Sequence, residues 1–273
     1  MKSTLVYSTL ILAVLMMTSA CKDNKEEVEN ENVEQETEKT VEVVQQKITL
    51  EKLEGSPAYS DAALVLQDPS NFKIENGGTV DFTFDVQSYE LGAQTAGPNA
   101  TRLANSDKGQ HIHFILNNQP YSAHYEPSFQ KEIPDGVHHL VAFLSRSYHE
   151  SVKNENSVVV RKLEVGENPV DARGLDMEAP TLIYSRPKGE YSGSGTENLL
   201  LDFIVLNTTL SENGNKVKAT VNDEEFLITE WAPHVLKGLP IGEVTIQLEL
   251  VDAAGNLIPG SFNKVTRTVT LKE

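Results

Sequence analysis

The sequence predicts an all-β protein, two tandem β-sandwiches that follow a signal peptide and an acidic tether. Three observations carry this. Val80-Asp81-Phe82-Thr83-Phe84-Asp85-Val86, Val217-Lys218-Ala219-Thr220-Val221 and Val244-Thr245-Ile246-Gln247-Leu248-Glu249-Leu250 alternate strictly, as half-buried strands do. No segment sustains a helical period, and turn residues bound the short strands. Finally, the two halves of the chain align with each other in order, spacing and residue type.

Residues 1–20 read as an export signal. Lys2 gives a positive start, Leu5-Val6-Tyr7 opens an apolar run, and Thr18-Ser19-Ala20 are small. The only cysteine, Cys21, falls where lipoprotein maturation needs a thiol to accept lipid. That assigns Cys21 to lipidation and leaves no thiol for a disulfide or a thiolate metal site. Residues 21–47 are rich in Glu, Asn, Gln and Lys. They bury too little apolar surface to offset chain entropy, so a disordered acidic tether is expected. The start of this segment, Cys21-Lys22-Asp23-Asn24-Lys25-Glu26-Glu27, resembles the acidic signal of Bacteroidetes-type surface lipoproteins. The resemblance implies an outer-membrane lipid anchor and a cell-surface position. The formal charge of −17 is unbroken by a basic patch and argues against a nucleic-acid partner.

The duplication sets the domain boundaries. Phe84-Asp85-Val86 matches Phe203-Ile204-Val205. His113-Phe114-Ile115-Leu116-Asn117 matches Lys218-Ala219-Thr220-Val221-Asn222. Ile133-Pro134-Asp135-Gly136 matches Leu239-Pro240-Ile241-Gly242, and Val159-Val160-Arg161 matches Val265-Thr266-Arg267. The first domain is expected at 48–166, a connector at 167–179 and the second domain at 180–273. Each copy is long enough to own a core. The strand order of each copy resembles an immunoglobulin or fibronectin type III sandwich. Gly109-Gln110-His111-Ile112-His113-Phe114, Ser145-Arg146-Ser147-Tyr148-His149-Glu150 and Tyr184-Ser185-Arg186-Pro187-Lys188-Gly189 are similar to uncharacterised lipoproteins of the same bacteria, some labelled phosphopeptide-binding.

Six of the seven histidines lie between His111 and His149, in copy one only. Copy two identifies the core face. Val217, Ala219 and Val221 are apolar, so Ile112, Phe114 and Leu116 point inward, and His111, His113 and Ile115 point outward. His138 stands at the place of Val244, inward, and is expected to be a hydrogen-bonded core residue. His139 stands at the place of Thr245, outward. A hairpin turn at Asn117-Asn118-Gln119-Pro120 that pairs Leu116 with Tyr121 sets His113 opposite His124 and His111 opposite Glu126. His111, His113, His124 and Glu126 would then form a metal patch suited to zinc or copper. Copy two has Lys216 and Lys218 there and cannot form it. The alternative is a polar strand face, or a face packed on the second domain.

Copy one also carries a long insertion, 92–109, against only 211–215 in copy two. It is expected at the same end as the loop 145–156, which holds Arg146, Tyr148, His149, Glu150 and Lys153. Together with Arg186 and Lys188 near the domain junction, these residues suit a peptide, glycan or anionic ligand. Replacing Arg146 and Tyr148 is then expected to abolish binding without changing the melting temperature. No Gly-x-Ser-x-Gly, His-Glu-x-x-His, phosphate-binding glycine loop or dinucleotide fingerprint occurs, so a binding module is expected rather than an enzyme, with a non-binding structural spacer as the alternative.

Overall fold

The structure is a computed structural model and describes residues 47–67 and 73–273. The expected signal peptide, Cys21 and almost all of the expected tether lie outside the described residues. Among the described residues, no helix is long and apolar enough to cross a membrane.

Strands β1 (Thr49–Lys52), β2 (Ala63–Gln67), β3 (Lys73–Ile74), β4 (Gly78–Gln87), β5 (His111–Leu116), β6 (Ser122–His124), β7 (Ser128–Ile133), β8 (Gly136–Ser145) and β9 (Val158–Val165) come first. Then follow β10 (Thr181–Arg186), β11 (Glu190–Ser192), β12 (Leu199–Leu206), β13 (Lys216–Val221), β14 (Glu224–Ile228), β15 (His234–Lys237), β16 (Gly242–Val251) and β17 (Lys264–Lys272). In copy one, sheet β2-β4-β7 faces sheet β3-β9-β8-β5-β6. In copy two, β10-β12-β15 faces β11-β17-β16-β13-β14. The two orders are the same strand for strand, down to a parallel edge pair, β3 with β9 and β11 with β17. Each copy is an immunoglobulin-like sandwich, and the duplication holds at the level of topology.

The N-terminal strand departs from the expected boundary. β1 does not join the first sandwich that follows it in sequence. It pairs antiparallel with β15, from Thr49 opposite Lys237 to Lys52 opposite His234. The physical reason is burial. Ile48 enters the core of the second sandwich and Leu50 packs against it. The N-terminal strand thus extends the smaller sheet of copy two.

The inward residues are those that copy two predicts. Ile112, Phe114, Leu140, Ala142 and Leu144 meet Phe82 and Phe84 in the first core. Val217, Ala219, Val221, Val244, Ile246 and Leu248 meet Leu201 and Phe203 in the second. The outward face of β5 and β8 does not meet water. Ile115, Val141 and Phe143 pack with Tyr121 against Ile183, Ile204 and Phe262 of copy two. Burying each such side chain contributes about 1.5–3 kcal/mol. This second buried face explains why Leu140-Val141-Ala142-Phe143-Leu144 reads as a continuous apolar run.

Asn118 bridges the two sandwiches. Its Nδ2 donates to the carbonyls of Leu182 (3.2 Å) and Phe262 (3.4 Å), and its Oδ1 accepts from Tyr184 N–H (2.8 Å). Its backbone is left-handed, φ 55°, which asparagine tolerates better than most residues. Asn118→Ala strands buried polar groups and adds backbone strain, so we expect a loss of about 3 kcal/mol in urea unfolding. A loss below about 1 kcal/mol would count against this bridge.

Candidate metal centre

The register of β6 decides which histidines meet. The turn after β5 closes tightly, with Gln119 N–H donating to Leu116 O at 3.0 Å and both Asn117 and Asn118 at positive φ. Pro120 has no N–H to give the ladder. Pairing resumes with Phe114 opposite Ser122, His113 opposite Ala123 and Ile112 opposite His124. This is one residue away from the expected pairing, and in a strand one residue exchanges faces. His124 therefore leaves the outer patch. It stacks on Phe129 at 3.4 Å and accepts or donates with Ser122 Oγ at 2.8 Å on the core side. Glu126 is exposed and beyond the strand. Neither belongs with His111 and His113.

His149 takes their place. His111 Nε2 lies 2.9 Å from His113 Nε2 and 3.1 Å from His149 Nδ1, and the three ligand atoms fall within 4.8 Å of one another. His111 Nδ1 lies 2.8 Å from the carbonyl of Gly109, which only accepts, so Nδ1 carries the proton and Nε2 presents its lone pair. Two further ring nitrogens contend for that single lone pair. Nitrogens around tetrahedral zinc at 2.0–2.1 Å stand about 3.3 Å apart, close to the 2.9 and 3.1 Å contacts that His111 makes. The donor set fits a zinc or copper ion. The carbonyl behind His111 is the partner that fixes ring orientation in histidine metal sites.

The loops hold this geometry. Gly109 has φ 81°, and a Cβ there would meet Gly92 O at 2.2 Å, so only glycine aims this carbonyl at His111. The insertion and the loop after β8 are bonded together. Thr95 N–H donates to Ser147 Oγ (3.1 Å), Ser147 N–H to Thr95 Oγ1 (3.0 Å) and Ser106 N–H to Ser147 O (2.9 Å). Tyr121 stacks on His113 at 3.5 Å, and its hydroxyl lies 3.2 Å from His149 Nδ1.

His149 itself sits at φ 69°, a conformation that costs a non-glycine residue of order 1 kcal/mol or more. Copy two makes the same turn. Arg146 N–H bonds to Glu150 O and His149 N–H to Arg146 O; Asp252 N–H bonds to Asn256 O and Gly255 N–H to Asp252 O. The residue in the place of His149 is Gly255, φ 87°. A histidine on a glycine position was the sequence signal for this ligand, and aligning Arg146-Ser147-Tyr148-His149-Glu150 with Asp252-Ala253-Ala254-Gly255-Asn256 would have found it.

Burial keeps all three rings neutral. Desolvation, reinforced by the charges of Arg186 and Lys188, lowers His111 to about 4 and puts His113 and His149 far below the ordinary histidine range. Outside the cluster, burial alone lowers His139 to about 4; its ring lies 5.4 Å from Phe262 between the sandwiches. His138 behaves as a core histidine, bonded to Asn117 Nδ2 and Pro134 O, each at 2.9 Å. In the unfolded chain these rings titrate near 6.5. Below that pH the unfolded state takes up protons that the folded state refuses. We expect stability to fall as pH drops from about 6.5 to about 4, by up to about 1.4 kcal/mol per unit for each of His111, His113, His139 and His149. Burial raises Glu150, which opposes this in part. A flat stability profile in urea across that window would contradict the burial of these rings.

Arg146, Tyr148 and Glu150, expected at an open binding surface, are bonded inside the protein. All three are buried. Arg146 Nη1 lies 2.9 Å from Glu150 Oε1 and donates to Ser151 O, and its Nη2 donates to Pro57 O. Tyr148 Oη donates to Ser56 Oγ at 3.0 Å, and Ser56 Oγ donates to Glu150. Charged loop residues that read as a binding surface instead satisfy one another and tie the loop to the N-terminal segment. Lys153 likewise pairs with buried Asp202 at 2.7 Å. Arg186 and Lys188 do stand beside the cluster: Lys188 Nζ lies 3.8 Å from the Tyr121 ring and the Arg186 guanidinium 5.4 Å from it.

No family model and no curated protein matches the chain. Solved structures similar to it include the fibronectin(III)-like modules of Clostridium thermocellum CbhA, at 14% identity and TM-score 0.27, covering 77% of this chain and 94% of that one. The two tandem V-type regions of a v-region-containing chitin binding protein match at 10% identity and TM-score 0.22, covering 77% and 100%. A Bacteroides ovatus glucan-locus protein, SGBP-B, bound to a mixed-linkage heptasaccharide, matches at 9% identity and TM-score 0.20, covering 76% and 68%. Likenesses this distant carry no argument about ligand.

Proposed function

We propose that the chain is a lipid-anchored, extracytoplasmic binding module whose ligand is a zinc or copper ion, held by His111, His113 and His149 at the seam of two immunoglobulin-like sandwiches. The anchor is Cys21 in the outer membrane, and the acidic tether sets the module at the cell surface. One observation carries the metal reading: two imidazole nitrogens converge on the lone pair of a third whose tautomer a backbone carbonyl fixes. Neutral imidazole suits both metals. The second sandwich supplies the wall that buries the site, through Ile183, Ser185 and Arg186. Copy two has Lys216, Lys218 and Gly255 at the three positions, so one site per chain is expected; Lys218 there pairs with Glu249 at 2.8 Å.

The test is calorimetric titration of the full chain, prepared without a histidine tag, with zinc and with copper. The reading predicts uptake of one ion per chain by at least one of the two. A chain that takes up neither overturns it.

A further inference from the structure

Positive charge gathers at this site without acidic partners. Arg186, Lys188 and Arg267 make no ion pair among the described residues, although the chain carries a net charge of −17. Arg267 is answered by carbonyls, those of Ser185, Asn118 and Tyr184. Lys188 Nζ donates to Tyr121 O at 2.7 Å. Arg186 is different. It is 7% exposed, donates from Nη1 to the Tyr191 hydroxyl at 2.7 Å, and leaves its buried Nε without a partner. Its guanidinium lies beside Tyr121, whose hydroxyl is 3.2 Å from His149 Nδ1.

Three neutral imidazoles leave a zinc or copper ion a coordination position to fill, and they offset none of its charge. Two more cations next to that ion make the unfilled side strongly attractive to negative charge. A buried guanidinium with one uncommitted N–H, Nε, is a donor suited to an anion.

We infer that the open side of the three-histidine centre takes a small monoanion, bound at once to the metal and to Arg186, with Lys188 adding charge from the Tyr121 side. This rests on the metal reading above. It names the ligand class of the same site: an anionic group small enough to reach a buried metal, such as a carboxylate or an inorganic monoanion.

Azide is a suitable probe, because its binding to copper(II) produces a charge-transfer absorption. Copper-loaded full chain should bind azide saturably. Arg186→Met should weaken azide at least tenfold while copper affinity stays within threefold. Lys188→Met, at a half-exposed residue, should weaken it severalfold and guards against an Arg186 variant that fails to fold. Copper-loaded chain that takes no azide, or variants that bind it as the parent does, would overturn the anion site and leave the metal reading standing. A chain that takes up neither copper nor zinc removes both; where it takes zinc alone, cobalt(II) in zinc's place reports azide by its visible absorption, with the same outcomes.

Discussion

Arg146→Ala should cost the protein about 3–5 kcal/mol of stability while leaving metal uptake within severalfold of the parent. The magnitude follows from what is left behind. Arg146 and Glu150 form an ion pair at 2.9 Å with side chains 5% and 4% exposed. Removing one partner leaves the other charge buried and uncompensated, and that is what makes broken buried pairs expensive. Glu150, already raised by burial, would then be driven to protonate. Two carbonyls, Pro57 O and Ser151 O, lose their donors as well. The urea midpoint reads the loss directly. An unchanged midpoint with loss of binding would restore the opposite view, in which Arg146 faces a ligand.

His149→Gly should separate function from stability in the other direction. The substitution removes one of three ligands and places glycine where copy two has Gly255. We expect metal affinity to fall at least 100-fold. The metal-free protein should stay within about 1 kcal/mol of the parent, because relief of the φ 69° strain offsets the lost ring contacts. His124→Ala should leave metal affinity unchanged, since His124 lies on the core side against Phe129. Equal losses from His149→Gly and His124→Ala would contradict the placement of both rings.

Much of this architecture was legible because the chain contains its own control. Copy two marked Ile112 and Phe114 as core and put His111 and His113 on the opposite face, and both sandwiches follow that pattern. It also placed His138 inward and His139 outward. Three things were not legible, each for a physical reason. The turn closes over Asn117-Asn118-Gln119, one residue fewer than the count from Leu116 to Tyr121 allows, and that single residue turns His124 over. The outer face of β5 is covered by β10 and β12, and no local pattern reports which surface a second domain will bury. Arg146 and Glu150 stand four residues apart in a loop, where sequence does not distinguish charges that face a ligand from charges that face each other.

Strain at His149 links these levels. The two copies of this turn share their hydrogen bonds, with histidine at the left-handed position in one and glycine in the other. The fold bears the cost of a left-handed histidine, and the position of its ring beside His111 is what that cost accompanies.

The most direct measurement is X-ray absorption on the zinc- or copper-loaded full chain. The account predicts three imidazole nitrogens at about 2.0 Å, reduced to two in His149→Gly and unchanged in His124→Ala. A shell made of oxygen alone, or one that loses an imidazole with His124 and not with His149, would contradict it.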